Sequence, residues 1–417
     1  MSKLQKIDKN QMLEMLNDAK SIIEMNYNKI EAEDGKALHG WHNFFEQKVG
    51  STGSAIVLVY FKRTRQDFED TENVLKSILD ARKENNDKCS WAILHIPHLN
   101  TIEGTIFPML SLVEYNSESK YNNIIFDTVS WILQTQLNNG GWNSNGNPNS
   151  PARVNLTCNV LDLLDKLKGE YNPNNFDRGI NWLINSQNKD GSWGEVTGKT
   201  GNIFFTAKAL KTILKSGNKI SHQNVLKATN YIVSNYCKNH SFIAESYDIK
   251  FNDGYNRIVL EHDIRAEIIE LYCVCPNLFS DKFIFSILAD ALEYYKENKF
   301  INVENSLKKQ TIWTIVPIAT AITKMYEKIL PQAEQHWGLL FDKFIVSDMS
   351  EKVNSNLQFV FSYFIKPLKN KKIFLWSIAF LCTIAVVTLF VFQIISFKEL
   401  LLSVIIPIIL FLLGLKK

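Results

Sequence analysis

Residues 180–194 decide the fold, and they read INWLINSQNKDGSWG. The stretch combines a helical end at Gln187, a polar turn that contains Gly191, and then Trp193. The same arrangement stands 51 residues earlier in SWILQTQLNNGGWNS, where Trp142 takes the place of Trp193. A structural unit of this length is therefore predicted to repeat along the chain.

Tryptophan recurs at nearly the same interval upstream, so four positions follow the period: Trp41, Trp91, Trp142 and Trp193. Such a period predicts stacked supersecondary units, because each unit alone is too small to bury its apolar face. In the two complete copies, Gln136 and Gln187 stand six residues before the tryptophan. We expect the helix to end at the glutamine and the indole to fold back over the helix end after a glycine turn. These four glutamine and tryptophan residues are predicted to be structural, since a buried tryptophan with a hydrogen-bonding neighbour is ordinary core construction.

This repeat resembles the QW repeat of the prenyltransferase and squalene cyclase superfamily, and the resemblance covers roughly residues 9–328. In that family the glutamine side chain stacks on the tryptophan and ties outer helices together. The resemblance implies an all-α fold, an alpha/alpha toroid of about six inner and six outer helices. Closure of the ring comes from the resemblance, because periodicity alone does not tell whether the array closes.

Amphipathic outer helices are predicted to alternate with more apolar inner helices, beginning at Lys9 and at the run SAIVLVYF of residues 54–61. Small residues open the later inner helices, which we attribute to crowding around a common axis. The openings are Gly104 and Thr105, Thr157 and Cys158, Thr206 and Ala207, and residues 263–266.

Two units depart from the repeat. The fifth has lost its turn glycine, and Tyr231, Tyr236 and Phe242 take the places of the repeated residues. The sixth pairs residues 281–297 with residues 310–328, where Pro317 is expected to kink the inner helix.

The C-terminus has the composition of a membrane segment. Residues 373–395 contain no charged residue, and residues 400–415 form a second apolar run that Pro407 interrupts. The first run is long enough to span a bilayer, so we predict a transmembrane hairpin. The domain prediction is a toroid at residues 1–330, a helical linker at 331–371 and the transmembrane hairpin at 372–417.

Charge separates the two parts of the chain. The net charge is +3, yet the residues from Lys366 onward include seven lysines and one glutamate, so the preceding domain is mildly acidic. This balance argues against nucleic acid as a partner. Lysines flank both ends of the hairpin, which predicts an inner-membrane protein whose toroid faces the cytoplasm. The N-terminus lacks the pattern of a signal peptide, and the six scattered cysteines fit a reducing compartment.

In the resembled family the ligand lies in the central cavity, near the N-terminal ends of the inner helices. The residues of this chain that fall there mix cations, acids and amides, whereas a cyclase cavity is expected to be walled by aromatic side chains. The candidate ligand-binding residues are His95, His98, Glu103, Arg153, Asn155, Asn202, Phe204, Arg257, His262, Asp263 and Trp313. His262 and Asp263 open the fifth inner helix, and their alternative interpretation is a helix-capping aspartate beside an exposed histidine.

The catalytic motifs of the family are not legible. The Asp-x-Asp-Asp motif of its protonating enzymes has its nearest match at residues 67–71, DFEDT, which precede an outer helix and are better explained as capping residues. A zinc site would need a convincing set around Cys237 and His240 or around Cys273 and Cys275. No metal, cofactor or catalytic residue is therefore predicted, and a non-catalytic relative is favoured.

Two hypotheses of different classes remain. The first is a ligand-sensing toroid that acts through its hairpin as a membrane effector, with oligomerisation and membrane disruption as in bacterial anti-phage defence; that setting rests on analogy of architecture. The second is a membrane-bound isoprenoid-processing enzyme, similar to a terpene cyclase or prenyltransferase. The partners expected are the bilayer, an unknown small molecule or isoprenoid-like ligand, and further copies of the chain.

Overall fold

The computed structural model describes residues 9–31, 35–42, 49–85, 88–92, 101–167, 171–217, 220–237, 241–251, 254–301 and 310–329. All of them belong to the first of the two units into which the chain divides, Met1–Gln332. The predicted linker and transmembrane hairpin lie outside these residues. Within the described ranges, no helix has the length and apolar composition needed to cross a membrane.

The described residues are mostly helical and form twelve α-helices that alternate between two layers. The outer helices are α1 Lys9–Met25, α3 Thr71–Asp80, α5 Asn122–Gln134, α7 Pro173–Asn185, α9 His222–Asn235 and α11 Asp281–Asn298. The inner helices are α2 Ser51–Arg63, α4 Ile102–Glu114, α6 Val154–Lys166, α8 Ile203–Lys215, α10 Ile264–Val274 and α12 Ile312–Lys324.

The inner helices form a closed ring. Each packs against the next in the order α2, α4, α6, α8, α10 and α12, and α12 packs back against α2. The outer helices pack on this ring, and α1 closes the outer layer against α11 and α12. The architecture is therefore an alpha/alpha toroid. The inner helices are apolar on most faces because both layers cover them, as α2 illustrates with ten consecutive buried residues from Thr52 to Phe61.

Each repeated tryptophan joins an outer helix to the inner helix that follows it. The indole N–H of Trp193 donates to the carbonyl of Leu183 at the end of α7, at 2.7 Å. The backbone N–H of Trp193 donates to the hydroxyl of Thr206 in α8, at 3.0 Å. Trp41, Trp91 and Trp142 make the same pair of bonds, and all four indoles are fully buried. The small residues that open the inner helices thus include the hydroxyl that accepts this bond.

The two glutamines of the repeat form hydrogen bonds both to the glycine turn and to the next outer helix. The amide N–H groups of Gln187 donate to the carbonyls of Gly191 in the turn and Asn224 in α9, at 2.9 and 3.0 Å. Gln136 makes the equivalent bonds to Gly140 and to Asn175 in α7. Gly191 has a φ of +91°, and a Cβ there would lie 2.5 Å from the backbone of Lys227, so the turn requires glycine.

In the described ranges, three antiparallel hairpins interrupt the helices, so the fold is mostly rather than purely α. They are β1 Asn28–Glu31 with β2 Ala37–Gly40, β3 Lys83–Asn85 with β4 Lys88–Ser90, and β5 Phe242–Phe251 with β6 Gly254–Asp263. The longest stands in the fifth unit. Where the glycine turn is missing, the chain makes ten-residue strands instead, and it returns to the ring at the start of α10.

The sixth unit follows the predicted pairing of α11 with α12. A capping box between Thr311 and Thr314 starts α12, which continues past Pro317 to Lys324 and ends in a π-helical turn, Met325–Ile329. The kink expected at Pro317 stays a prediction.

Candidate binding cavity

The ring encloses a cavity of about 690 Å³, to whose wall all six inner helices contribute. This volume is in the range of small-molecule sites. Residues two positions after the helix caps line it in five of the helices, because these helices converge on the axis with the same phase. The five are Thr52, Glu103, Asn155, Phe204 and Trp313.

The fifth inner helix breaks this pattern. Its residue at that position, Arg265, is fully buried and forms two hydrogen bonds with the carboxylate of Asp263, at 2.9 and 3.0 Å. Asp263 also caps α10 through the backbone N–H of Arg265 and accepts from the hydroxyl of Tyr295. The interpretation of Asp263 as a helix-capping residue is therefore correct.

His262 is not the exposed neighbour that this interpretation assumed. Its Nε2 lies 2.9 Å from the carboxylate of Glu245, and its ring stacks on Phe204 with the centroids 3.9 Å apart. Both contacts follow from the hairpin, which places His262 on β6 and Glu245 on β5 beside the ring. His262 thus lines the cavity.

Glu245 is the centre of a polar cluster at this end of the cavity. Its two oxygens accept from Arg153 at 2.7 Å and from Asn155 at 2.6 Å, besides the contact with His262. Burial alone would raise the pKa of Glu245, but the hydrogen bond and charge of His262 and the charge of Arg153 outweigh it and lower the pKa to about 2. Glu245 is therefore an ionised, fully engaged carboxylate.

Glu103 is the contrasting carboxyl group of the same end. One oxygen accepts from the hydroxyl of Ser144 at 2.5 Å and lies 3.6 Å from Arg153. The other oxygen, Oε2, is buried and has no hydrogen-bond partner among the described residues. Burial raises the pKa of Glu103 more than the charge of Arg153 lowers it, so the neutral form is favoured over a wider pH range than in water.

An aromatic pair stands beside Glu103. Phe107 lies one turn further along α4, and its ring meets Trp313 of α12 edge to face with the centroids 5.8 Å apart. The indole N–H of Trp313 is buried without a hydrogen-bond partner in the described part of the chain. This corner is apolar with two polar atoms left unsatisfied.

The other end of the cavity is closed by ion pairs between neighbouring inner helices. Lys211 of α8 lies 2.6 Å from Glu267 and 2.5 Å from Glu270 of α10, and Lys324 of α12 lies 2.5 Å from Glu270. Further pairs join α8, α6, α2 and α4: Lys215 with Asp162, Arg63 with Asp162, Arg63 with Glu114, and Lys166 with Glu114. The cations in the last helical turns also complement the helix dipoles.

The remaining predicted residues fall in several places. Asn202 caps α8 by accepting from the backbone N–H of Phe205 at 3.0 Å. Arg257 lies on β6 opposite Asp248, and its side chain is outside the described set. His95 and His98 lie wholly outside the described residues. Sequence reasoning missed Glu245 and the ion pairs.

Asp70, in the acidic string DFEDT, stands at the N-cap position of α3, but its side chain makes no capping hydrogen bond. It accepts instead from the hydroxyl of Tyr27, and it lies 3.0 Å from both Lys29 and His39. These bonds hold the first hairpin against α3. The string therefore lies on the outer layer, away from the cavity.

Comparison with known proteins gives a partial family match. Residues 125–237, about a quarter of the chain, match the model described as the Squalene-hopene cyclase N-terminal domain. No curated protein matches the chain.

Two solved structures align with most of this chain. A family 76 glycoside hydrolase from a bovine Bacteroides thetaiotaomicron strain is 13% identical, with 77% of this chain and 79% of that chain covered and a TM-score of 0.51. The type II terpene cyclase MstE from Scytonema is 11% identical, with 76% and 99% covered and a TM-score of 0.48. At such identity the hydrolase supports the toroid fold alone, and the fold does not specify a function.

Proposed function

We propose that this chain is a ligand-sensing membrane effector. The toroid takes a small molecule into its central cavity, and the hairpin predicted at residues 372–417 acts on the bilayer. The observation that carries the proposal is the state of Glu245, which is held as a carboxylate by Arg153, Asn155 and His262. Such a group gives a fixed binding surface, and it is unsuited to donating a proton.

Through the same cluster, ligand binding would change contacts outside the cavity. Glu245 and His262 belong to the β5–β6 hairpin, whereas Arg153 and Asn155 belong to the inner ring. A ligand that competes for these bonds changes the contact between hairpin and ring. We place the toroid in the cytoplasm at the inner membrane, with self-association and membrane disruption as the output. The anti-phage setting rests on architecture alone.

The experiment compares three full-length proteins and one truncation in bacterial cells challenged with phage. Dye uptake reports membrane permeability. We expect uptake with the wild-type chain, and loss of uptake with His262→Ala, Arg153→Glu and a truncation after Ile365. Full activity of the truncated protein would contradict the effector proposal.

A second candidate function is an isoprenoid-processing enzyme, and Glu103 favours it. A buried carboxylic acid with a raised pKa beside an aromatic pair has the properties needed to protonate an alkene. The test is incubation of the purified chain with squalene, followed by mass spectrometry. A cyclised product that Glu103→Gln abolishes would favour the enzyme, and no product would favour the sensor.

A further inference from the structure

The N-terminal end of the cavity has more acid than base. Among the described residues, three carboxylates surround the guanidinium of Arg153: Glu245 at 2.7 Å, Glu195 at 3.0 Å and Glu103 at 3.6 Å. Two of them suffice to neutralise Arg153 and His262, even if His262 is protonated. An anionic group brought into this end would meet carboxylates first, and we therefore exclude phosphates from it.

The surplus carboxyl group is the one that faces the aromatic pair. Glu103 and Phe107 are four residues apart on α4, so they share the face that lines the cavity. Trp313 lies against Phe107. A carboxyl group that shares a cavity wall with two aromatic rings suits an alkylated ammonium group, because a carboxylate and the negative face of an aromatic ring both attract a cation.

We propose that Glu103, Phe107 and Trp313, which we name the Glu103 corner, bind the cationic head of an organic ligand that carries an amine or a quaternary ammonium. The inference rests on the proposed function, because it assumes that the cavity takes a ligand at all. The apolar wall between the two ends receives the rest of the molecule. Leu156, Ile56 and Val316 belong to that wall.

The opposite end does not compete for the cation. Four of its acids are already engaged, since Glu267, Glu270, Asp162 and Glu114 all lie within 3.4 Å of a lysine or arginine. A ligand cation there would have to replace a lysine that the chain itself supplies. At the Glu103 corner, Arg153 lies 3.6 Å from one carboxyl oxygen of Glu103, and the other oxygen has no hydrogen-bond partner among the described residues.

Proton release accompanies binding at this corner. In the free protein burial favours the neutral form of Glu103, against the charge of Arg153 and with the added repulsion of Glu245. A bound cation stabilises the carboxylate and lowers the pKa of Glu103. The affinity for the cation therefore rises as the pH passes the pKa that Glu103 has in the ligand-free protein, and it levels off at higher pH. His262 and Glu195 are further ionisable groups at this end, so the same profile is measured in the variant below.

The test is calorimetric titration of the purified full-length chain with benzyltrimethylammonium and with its uncharged isostere, neopentylbenzene. We expect the cation to bind at least about tenfold more tightly, the preference that a desolvated cation–aromatic contact and one carboxylate supply. Glu103→Gln should reduce that preference and abolish the pH dependence. Trp313→Leu should reduce the preference and keep the pH dependence.

Glu72→Gln is the matched control, because it removes the same charge from an exposed pair with Lys120 on the outer layer. It should bind like the wild-type chain. Equal affinity for the two probes, an unchanged preference in Glu103→Gln, or no saturable binding of the cation would each overturn the cation site. The effector proposal has its own readout in the permeability assay, so failure of one is distinguishable from failure of the other.

Discussion

The two ends of the cavity differ in how their polar groups are satisfied. At the end away from Arg153, Glu114, Asp162, Glu267 and Glu270 each have a lysine or arginine from a neighbouring helix within 3.4 Å. At the N-terminal ends, Glu103 and Trp313 each keep a buried polar atom without a partner in the described chain. Buried polar groups are normally satisfied, so an exception asks for a reason. We infer that the first end holds the ring together and the second end is kept for a ligand.

The largest effect is expected from breaking the saturated end. Lys211→Met leaves Glu267 and Glu270 without their shared cation inside the ring, and should lower the free energy of unfolding by about 3 to 5 kcal/mol. Thermal melts of the full-length chain measure it. Lys120→Met is the control, since its exposed pair with Glu72 should contribute less than about 1 kcal/mol. Equal effects of the two substitutions would remove the distinction between a structural and a surface ion pair.

Removing a tryptophan that supports the other end should lower the free energy of unfolding by nearly as much. Trp193→Ala empties a fully buried site and removes the bonds to Leu183 and Thr206, with an expected loss of about 3 to 5 kcal/mol. Phe126→Ala is the matched control, because Phe126 is 65% exposed on α5 and its loss should leave the melting temperature nearly unchanged. An unaltered melt of Trp193→Ala would contradict the repeat as the basis of the fold.

Acid should weaken the saturated end selectively. The charges of the neighbouring cations outweigh burial and lower the pKa of Asp162 and Glu270 in the folded chain. Their contribution to stability is present above the unfolded pKa of about 4 and is lost as the pH falls toward the folded values. The melting temperature should therefore fall as the pH is lowered below about 4. Asp162→Asn should be less stable than the wild type at pH 7 and should converge with it in acid; a constant difference would contradict the lowered pKa.

The smallest effect is expected at Glu103, and it has the opposite sign. Burial raises the pKa of Glu103, so the folded chain loses stability relative to the unfolded chain as the pH rises above about 4. Glu103→Gln should change stability by no more than about 1 kcal/mol, and should become more favourable relative to the wild type toward neutral pH. Melts of both proteins between pH 4 and 8 measure the trend. A large loss of stability at all pH values would show that Glu103 is structural.

The sequence predicted the alternating outer and inner helices because they follow local rules, whereas closure of the ring was expected only from the family resemblance. The spacing of Trp142 and Trp193 is the length of one helix pair, and the hydroxyls of Thr157 and Thr206 stand at a position that also carries a hydroxyl in the first two inner helices. The cavity residues Glu103, Asn155, Phe204 and Trp313 could be chosen because helix starts are predictable and convergence turns one position of each helix inward.

The remainder of the site required the structure. Glu245 lies 92 residues from its partner Arg153 and on a hairpin whose ten-residue strands are much longer than those of the first two units, so no repeat pointed to it. The ion pairs join side chains of six helices, and a sequence does not show which lysine meets which carboxylate. Asn202 was assigned to the cavity by position, yet its side chain is used as a helix cap.

The difference between the two ends is tested most directly by a density map of the full-length chain purified from its own cells. If one end is kept for a ligand, the map shows density for a small molecule against Glu103, Phe107 and Trp313, and only protein at the ring of ion pairs. A map in which Glu103 and Trp313 bind ordered water alone, or in which a molecule displaces Lys211 from its carboxylates, would contradict the assignment of the two ends.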